Sequence, residues 1–186
     1  HKVLPEYEWT LWIDANVGIT GEAFYEQVLS AEAGGTLWTG FRHPFRDDVR
    51  EEVWRGYAND RISFREAVSV LRFLRSKGFP RHCGLLENNV ILRRSLDGTV
   101  VRVDEMWWDS YRSLSRRDQL TLGLCFRECG LEPDVFRPED VSARNHPALS
   151  YNPHLAVPVG DRPRTLSGKL RDARRECGKM VLRLFR

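Results

Sequence analysis

The feature that most constrains this chain is a short apolar run, Trp9-Thr10-Leu11-Trp12-Ile13, stopped at once by Asp14-Ala15-Asn16. A run of that length and aromatic content predicts a buried strand ending in a polar loop. Downstream of that loop the chain alternates between helix and strand patterns. Helices are expected at about Gly21 to Leu29, Asp47 to Gly56, Ser63 to Lys77, Ser115 to Cys129 and Leu166 to Phe185. Strands are expected at Leu37 to Thr39, Val90 to Arg93 and Asp134 to Phe136. The helix from Ser63 is the clearest: Phe64, Ala67, Val68, Leu71 and Leu74 form one apolar stripe, Ser63 and Glu66 fit a capping box, and Gly78 and Pro80 end it. The turn Leu96-Asp97-Gly98 leads into a segment, Val100 to Tyr111, that carries Trp107 and Trp108. Residues 133 to 163 hold six prolines and read as an irregular covering segment. Strands alternating with helices predict an α/β domain with a sheet covered by helices.

Composition narrows the class. At 186 residues, 41% hydrophobic and 30% charged, the chain can bury one core, and no apolar stretch approaches the ~20 residues of a membrane span. The basic residues are 25 Arg and 4 Lys, and the formal net charge is only +3. That excess is concentrated. Leu166 to Arg186 carries seven basic and two acidic residues, a local +5, so the rest of the chain is slightly acidic. A nucleic-acid partner is therefore not expected. The terminal helix, with the stripe Leu166, Leu170, Ala173, Cys177, Val181 and Leu184, is expected either to dock on the body or to rest on an anionic membrane surface. The chain divides on this reading into a domain over 1–164 and a basic amphipathic helix over 165–186. Cys83, Cys125, Cys129 and Cys177 form no Cys-x-x-Cys pair and are expected to be reduced core thiols.

Five places have side chains fit for chemistry. Asp14 and Asn16, at a strand's carboxyl end, lie where open α/β sheets bind ligands, although both are also common turn formers. Asp118 and Gln119 could supply a base and an amide to a sugar, or simply start a helix behind Ser115. Glu87, Asn88 and Asn89 precede an apolar run that ends in Arg93-Arg94, where a guanidinium suits a phosphate. His43, Pro44, Phe45 and Arg46 with Glu52 form a fourth group. His146 and His154 lie in the proline-rich segment, where either can reach a metal from a closing loop. No phosphate loop, dinucleotide fingerprint, nucleophile elbow or His-Glu-x-x-His is present.

Taken in order, Lys2-Val3-Leu4-Pro5, Trp12-Ile13-Asp14-Ala15-Asn16, His43-Pro44, Glu52, Gly84-Leu85-x-Glu87, Val90-Ile91-x-Arg93, Trp107 or Trp108 and Arg117-Asp118-Gln119-Leu120 form a pattern. It resembles the glycosyltransferase-like domain of plant mucilage and turgor-control proteins and their bacterial relatives. The resemblance covers roughly residues 2 to 125. It implies a GT-A-type nucleotide-sugar fold, with the unit that holds the nucleotide base expected ahead of Lys2 and so missing here. It also implies a hexosyltransferase acting from a nucleotide-sugar donor on a glycan, lipid-linked or cell-surface acceptor, or a catalytically inactive sugar-nucleotide or glycan-binding module. A cytoplasmic, membrane-peripheral location fits that chemistry.

Carried over residue by residue, the resemblance makes Asp14 and Asn16 the strand-end motif for ribose and a divalent metal, Mn or Mg. Its second carboxylate is here an amide, which weakens the expected hold on a metal. Glu87, Arg93 and Arg117 would face the donor's sugar or phosphates. Asp118 would bind the sugar or serve as base, Gln119 would lie near the anomeric carbon as in glycogenin-like enzymes, and His146 would complete the metal site.

Overall fold

The computed structural model describes residues 2–152 and 166–183. It is a mixed α/β fold. In chain order it runs β1 (Trp9–Ile13), β2 (Val17–Ile19), α1 (Glu22–Ala33), β3 (Trp38–Arg42), α2 (Val49–Ala58), α3 (Phe64–Ser76), β4 (Leu86–Arg94) and α4 (Gly98–Ser113). A single 3-10 turn, Asp118–Leu120, then leads to α5 (Leu122–Cys129), β5 (Asp134–Val135), β6 (Leu149–Tyr151) and α6 (Leu166–Arg183).

The main sheet has the order β1-β4-β3-β5, with β4 antiparallel to both neighbours and β5 parallel to β3. β2 and β6 form a separate antiparallel pair. One face of the main sheet buries Val90 and Leu92 with Phe24, Phe41 and Phe136. The other buries Trp38 and Ile91 against Val100, Val103, Leu122 and Phe126 from α4 and α5. A third cluster is helical, joining α2 and α3 through Val53, Tyr57, Val70, Leu71 and Leu74 with Leu120 and Leu182. β1 is an edge strand and differs from the expected buried strand: Trp9, Leu11 and Ile13 are half-buried on one face and Trp12 stands 57% exposed on the other.

Local chemistry accounts for several of the boundaries. Asp48 caps α2 by accepting from Arg50 N, and Asp97 caps α4 through Thr99 N and Val100 N. The Ser63–Glu66 capping box opens α3. Glu66 has a further use: its Oε1 also accepts from the Ser115 hydroxyl at 2.6 Å and from Arg116 N at 3.2 Å. Drawn onto α3 in this way, Ser115 does not start a helix. The expected helix from Ser115 to Cys129 is instead a 3-10 turn followed by the shorter α5, which Gly130 closes in the left-handed conformation.

β4 carries the one large irregularity. Gly40 pairs with Ile91, but its neighbour Phe41 pairs with Glu87, so Asn88, Asn89 and Val90 bulge out of register with β3, although Val90 still pairs with Ile13 of β1. A bulge of this kind re-aims side chains and bends the strand locally.

α6 docks on α2 and α3. The Tyr57 hydroxyl donates to Arg175 O, Arg175 pairs with Asp60, and Leu182 is buried. The docked face carries Gly178 and Leu182, while Ala173, Cys177 and Val181 of the expected stripe are exposed; the side chains of Leu166, Leu170 and Leu184 lie outside the described residues. The cysteines also differ from the expectation of core thiols. All four are free, but only Cys125 is buried, and burial pushes its thiol up to about 12. Among the described residues, no helix is long and apolar enough to cross a membrane.

Candidate functional site

β1 and β3 run toward the same end of the sheet, the end at which antiparallel β4 begins. Most of the chemistry-bearing residues gather there. The Asp14 backbone N–H donates to Asn89 O at 2.8 Å, which ties the β1 loop to the β4 bulge. The side chain of Asp14 accepts from the exposed Trp12 indole at 3.0 Å. Asn16 is half-buried; its carbonyl accepts from Asn152 N, and its side-chain oxygen Oδ1 is buried without a partner.

The bulge receives the 3-10 turn. Asn88 donates to Asp118 Oδ2 at 3.1 Å, Gln119 Nε2 donates to Leu86 O at 2.9 Å, and the Trp107 indole donates to Asp118 O at 2.8 Å. Asp118 and Gln119 thus sit against β4 although 30 and more residues separate them from it.

Beside them lies a buried carboxylate shared by two guanidiniums. Glu52 is 1% exposed. Its Oε1 accepts from Arg117 Nε at 2.9 Å and also from Arg117 Nη2, while its Oε2 accepts from Arg46 Nε at 2.6 Å. Arg117 Nη2 reaches Gln119 Oε1 as well, at 3.3 Å. The geometry is charge-assisted and multidentate, which fixes both arginines in direction. His43 completes the group. Burial, with the adjacent Arg46 charge second, pushes its imidazole down to about 4.

His43, Arg46, Leu86, Asn88 and Gln119 line an open cleft of about 960 Å³, together with the apolar Phe79, Phe126 and Leu131. Such a volume suits a nucleotide-sized ligand.

On the other face of the sheet Glu87, 3% exposed, accepts from Arg144 Nε at 2.6 Å. Arg144 also lies over the Tyr151 ring and donates to its hydroxyl. Glu87 Oε2 and Asn89 Oδ1 are buried without partners. Sequence reasoning missed Arg144 altogether, since nothing local marks it; its only signal is the contact with Glu87 across 57 residues.

Two candidates lie elsewhere. Arg93 is six residues from Glu87 along β4, on the far side of the bulge, opposite Trp38 where Glu87 is opposite Phe41. There it donates to Asp104 at 2.6 Å and packs over Trp38, so it does not face the cleft with Gln119. His146 is buried and packs against the rings of Phe24 and Phe41, at 5.6 and 5.7 Å between centroids. Burial also lowers its pKa. His154 lies outside the described residues.

The three expected metal ligands do not fit a divalent cation as a set. His146 Nδ1 accepts from Ala148 N at 3.1 Å, so the neutral ring carries its proton on Nε2, the nitrogen left without a partner. A protonated nitrogen cannot ligate a metal. Asn16 brings no charge, and no three His, Cys, Asp or Glu side chains come together among the described residues. No family model matches the chain, and neither a curated protein nor a solved structure matches it.

Proposed function

We propose that this chain is a glycosyltransferase domain that moves a hexose from a nucleotide-sugar donor to a glycan, lipid-linked or cell-surface acceptor on a GT-A-like sheet. The observation that carries the reading is the attachment of Asp118 to Asn88 and of Gln119 to Leu86 at the start of β4, beside the Arg46–Glu52–Arg117 group; of these residues Arg46, Leu86, Asn88 and Gln119 line the cleft.

Transfer breaks the bond between the anomeric carbon and the diphosphate, and forms one from that carbon to an acceptor oxygen. The acceptor loses a proton and the diphosphate gains negative charge. Asn88 occupies Oδ2 of Asp118 and leaves Oδ1 to accept from a sugar hydroxyl or to take the acceptor's proton. The two guanidiniums on Glu52 bring more positive charge than that one carboxylate cancels, which favours the departing diphosphate. Asp14, with Trp12 beside it, meets the ribose at the other side of the bulge. The exposed Ala173, Cys177 and Val181 of α6 support an acceptor presented at a lipid surface.

Turnover of a panel of nucleotide sugars by the wild type, lost in Asp118→Asn with the fold intact, is the test. Equal turnover in that variant removes the reading.

A second reading, an inactive sugar-nucleotide or glycan-binding module, is favoured by the state of Gln119. Its Nε2 donates to Leu86 O and its Oε1 accepts from Arg117, so the amide is held in its present orientation against β4. Nucleoside diphosphate binding without turnover of any donor selects this alternative.

A further inference from the structure

The imidazole of His43 accepts two backbone bonds at one nitrogen: Phe45 N and Arg46 N donate to Nδ1 at 3.2 and 3.1 Å. A neutral imidazole keeps its single proton on the nitrogen that does not accept, here Nε2. Nε2 lies 3.0 Å from Arg46 Nη2, and a guanidinium has donors only. Two donors therefore face one another with no acceptor between them. An oxygen anion placed against both turns this contact into two hydrogen bonds, one of them charge-assisted.

The surroundings favour an anion at this spot. The ring is neutral across the physiological range, because burial and Arg46 oppose its protonation. One carboxylate, Glu52, serves two guanidiniums, so the group keeps a net positive charge. Arg46 and Arg117 are each 20% exposed, so neither is sealed from a ligand. His43 and Arg46 both line the 960 Å³ cleft, and Asn88 and Gln119 beside them face the same space.

We propose that the Nε2–H of His43 and the guanidinium of Arg46 together seat a phosphoryl oxygen of a diphosphate group, with Arg117 supplying the second positive charge. The identity of the occupant as the diphosphate of a sugar nucleotide rests on the transferase reading; the seat itself rests on the donor geometry. When the anomeric bond breaks, its electron pair passes to the diphosphate oxygen, and this seat meets the added charge.

The test is calorimetry on the full chain, in EDTA, with uridine diphosphate, guanosine diphosphate, inorganic pyrophosphate and uridine. Diphosphates bind the wild type, and His43→Ala and Arg46→Ala each weaken them at least tenfold while leaving uridine unchanged. His43→Gln, which restores an N–H donor, recovers part of the loss. Tighter binding of a nucleoside diphosphate than of pyrophosphate assigns the seat to a nucleotide, and equal binding assigns it to a free diphosphate anion. Should the variants unfold, the wild type still decides: pyrophosphate shifts the imidazole nitrogen resonances of His43. Unchanged resonances, no diphosphate binding, or unchanged affinity in folded variants overturns the seat. Sugar transfer with variant affinities unchanged removes the seat and leaves the transferase. Diphosphate binding weakened by the variants, with no turnover of any donor, keeps the seat and removes the transferase.

Discussion

Glu52 on α2 and Arg117 ahead of the 3-10 turn meet across 65 residues of chain, with two nitrogens of the guanidinium on one carboxylate oxygen and Arg46 on the other. The pair joins the helical cluster of α2 and α3 to the turn that carries Asp118 and Gln119. It therefore couples the stability of the body to the shape of the cleft.

Removing that buried carboxylate leaves two guanidiniums without the partner that they share. Glu52→Ala is expected to cost about 3 kcal/mol, the scale for breaking a buried pair at one partner. Denaturant unfolding measures it. Arg46→Ala relieves one of the two charges and should cost less than Glu52→Ala; the reverse order shows that Glu52 is not the centre of the group.

Asp118→Asn keeps the size and one acceptor oxygen at the end of the Asn88 contact. Stability should change by about 1 kcal/mol or less, the net value of an ordinary hydrogen bond. Sugar-nucleotide turnover should fall by at least a hundredfold, the range for a group that acts on a proton in the transition state. Initial rates alongside thermal melts separate the two effects.

The protein should lose stability as the medium is acidified from about pH 6.5 toward pH 4. Folded His43 has its pKa depressed to about 4, while the unfolded ring titrates near 6.5, so the unfolded state binds the extra proton across that window. The contribution is complete above 6.5, declines as pH falls, and is constant below 4. The charges that act on the ring are Arg46, Glu52, Arg144 and Arg117. His82 works in the opposite sense, since its hydrogen bond to Asp47 raises its pKa; that contribution is present below 6.5 and is lost as pH rises through the folded value. Unfolding free energies against pH for His43→Gln and His82→Gln check both slopes. A wild-type acid slope in His43→Gln contradicts the first assignment.

α6 is held by a close approach at Gly178. A Cβ there would overlap the Tyr57 hydroxyl and crowd Phe64 at 3.1 Å, so Gly178→Ala is expected to destabilise by about 1–3 kcal/mol. Leu182→Ala, in the cluster with Val53 and Leu74, should cost about 2–3 kcal/mol. Val181→Ala, on the exposed side, should change little. A single cooperative transition that shifts in the first two variants and not the third shows that α6 unfolds with the body.

The apolar run at β1, the stripe and capping box of α3 and the Gly130 stop of α5 were all legible in the sequence, because each is set by residues within one or two turns of chain. The helix α4 was legible only as a segment with two tryptophans. Its cap, Asp97, sits inside what reads locally as a turn, and Trp107 is drawn inward by a bond to Asp118 O. Asp14, Asn16, Asp118 and Gln119 were recognisable as chemistry-bearing residues one by one. Their arrangement was not, because it depends on which strand ends lie together and on three residues of β4 that slip out of register.

The same strand sends Glu87 to one face and carries Arg93 to the opposite end, so two residues six apart in sequence have unrelated surroundings. Periodicity specifies what an element is and which side it buries. His43, Arg46 and Glu52 were already grouped by their nearness in sequence, but only the packing of α2, the 3-10 turn and the bulged strand decided that Arg117 joins them in one site. The Glu52–Arg117 contact links residues 65 apart, and the forces that select it, desolvation and charge pairing, act through space and leave no mark on local sequence.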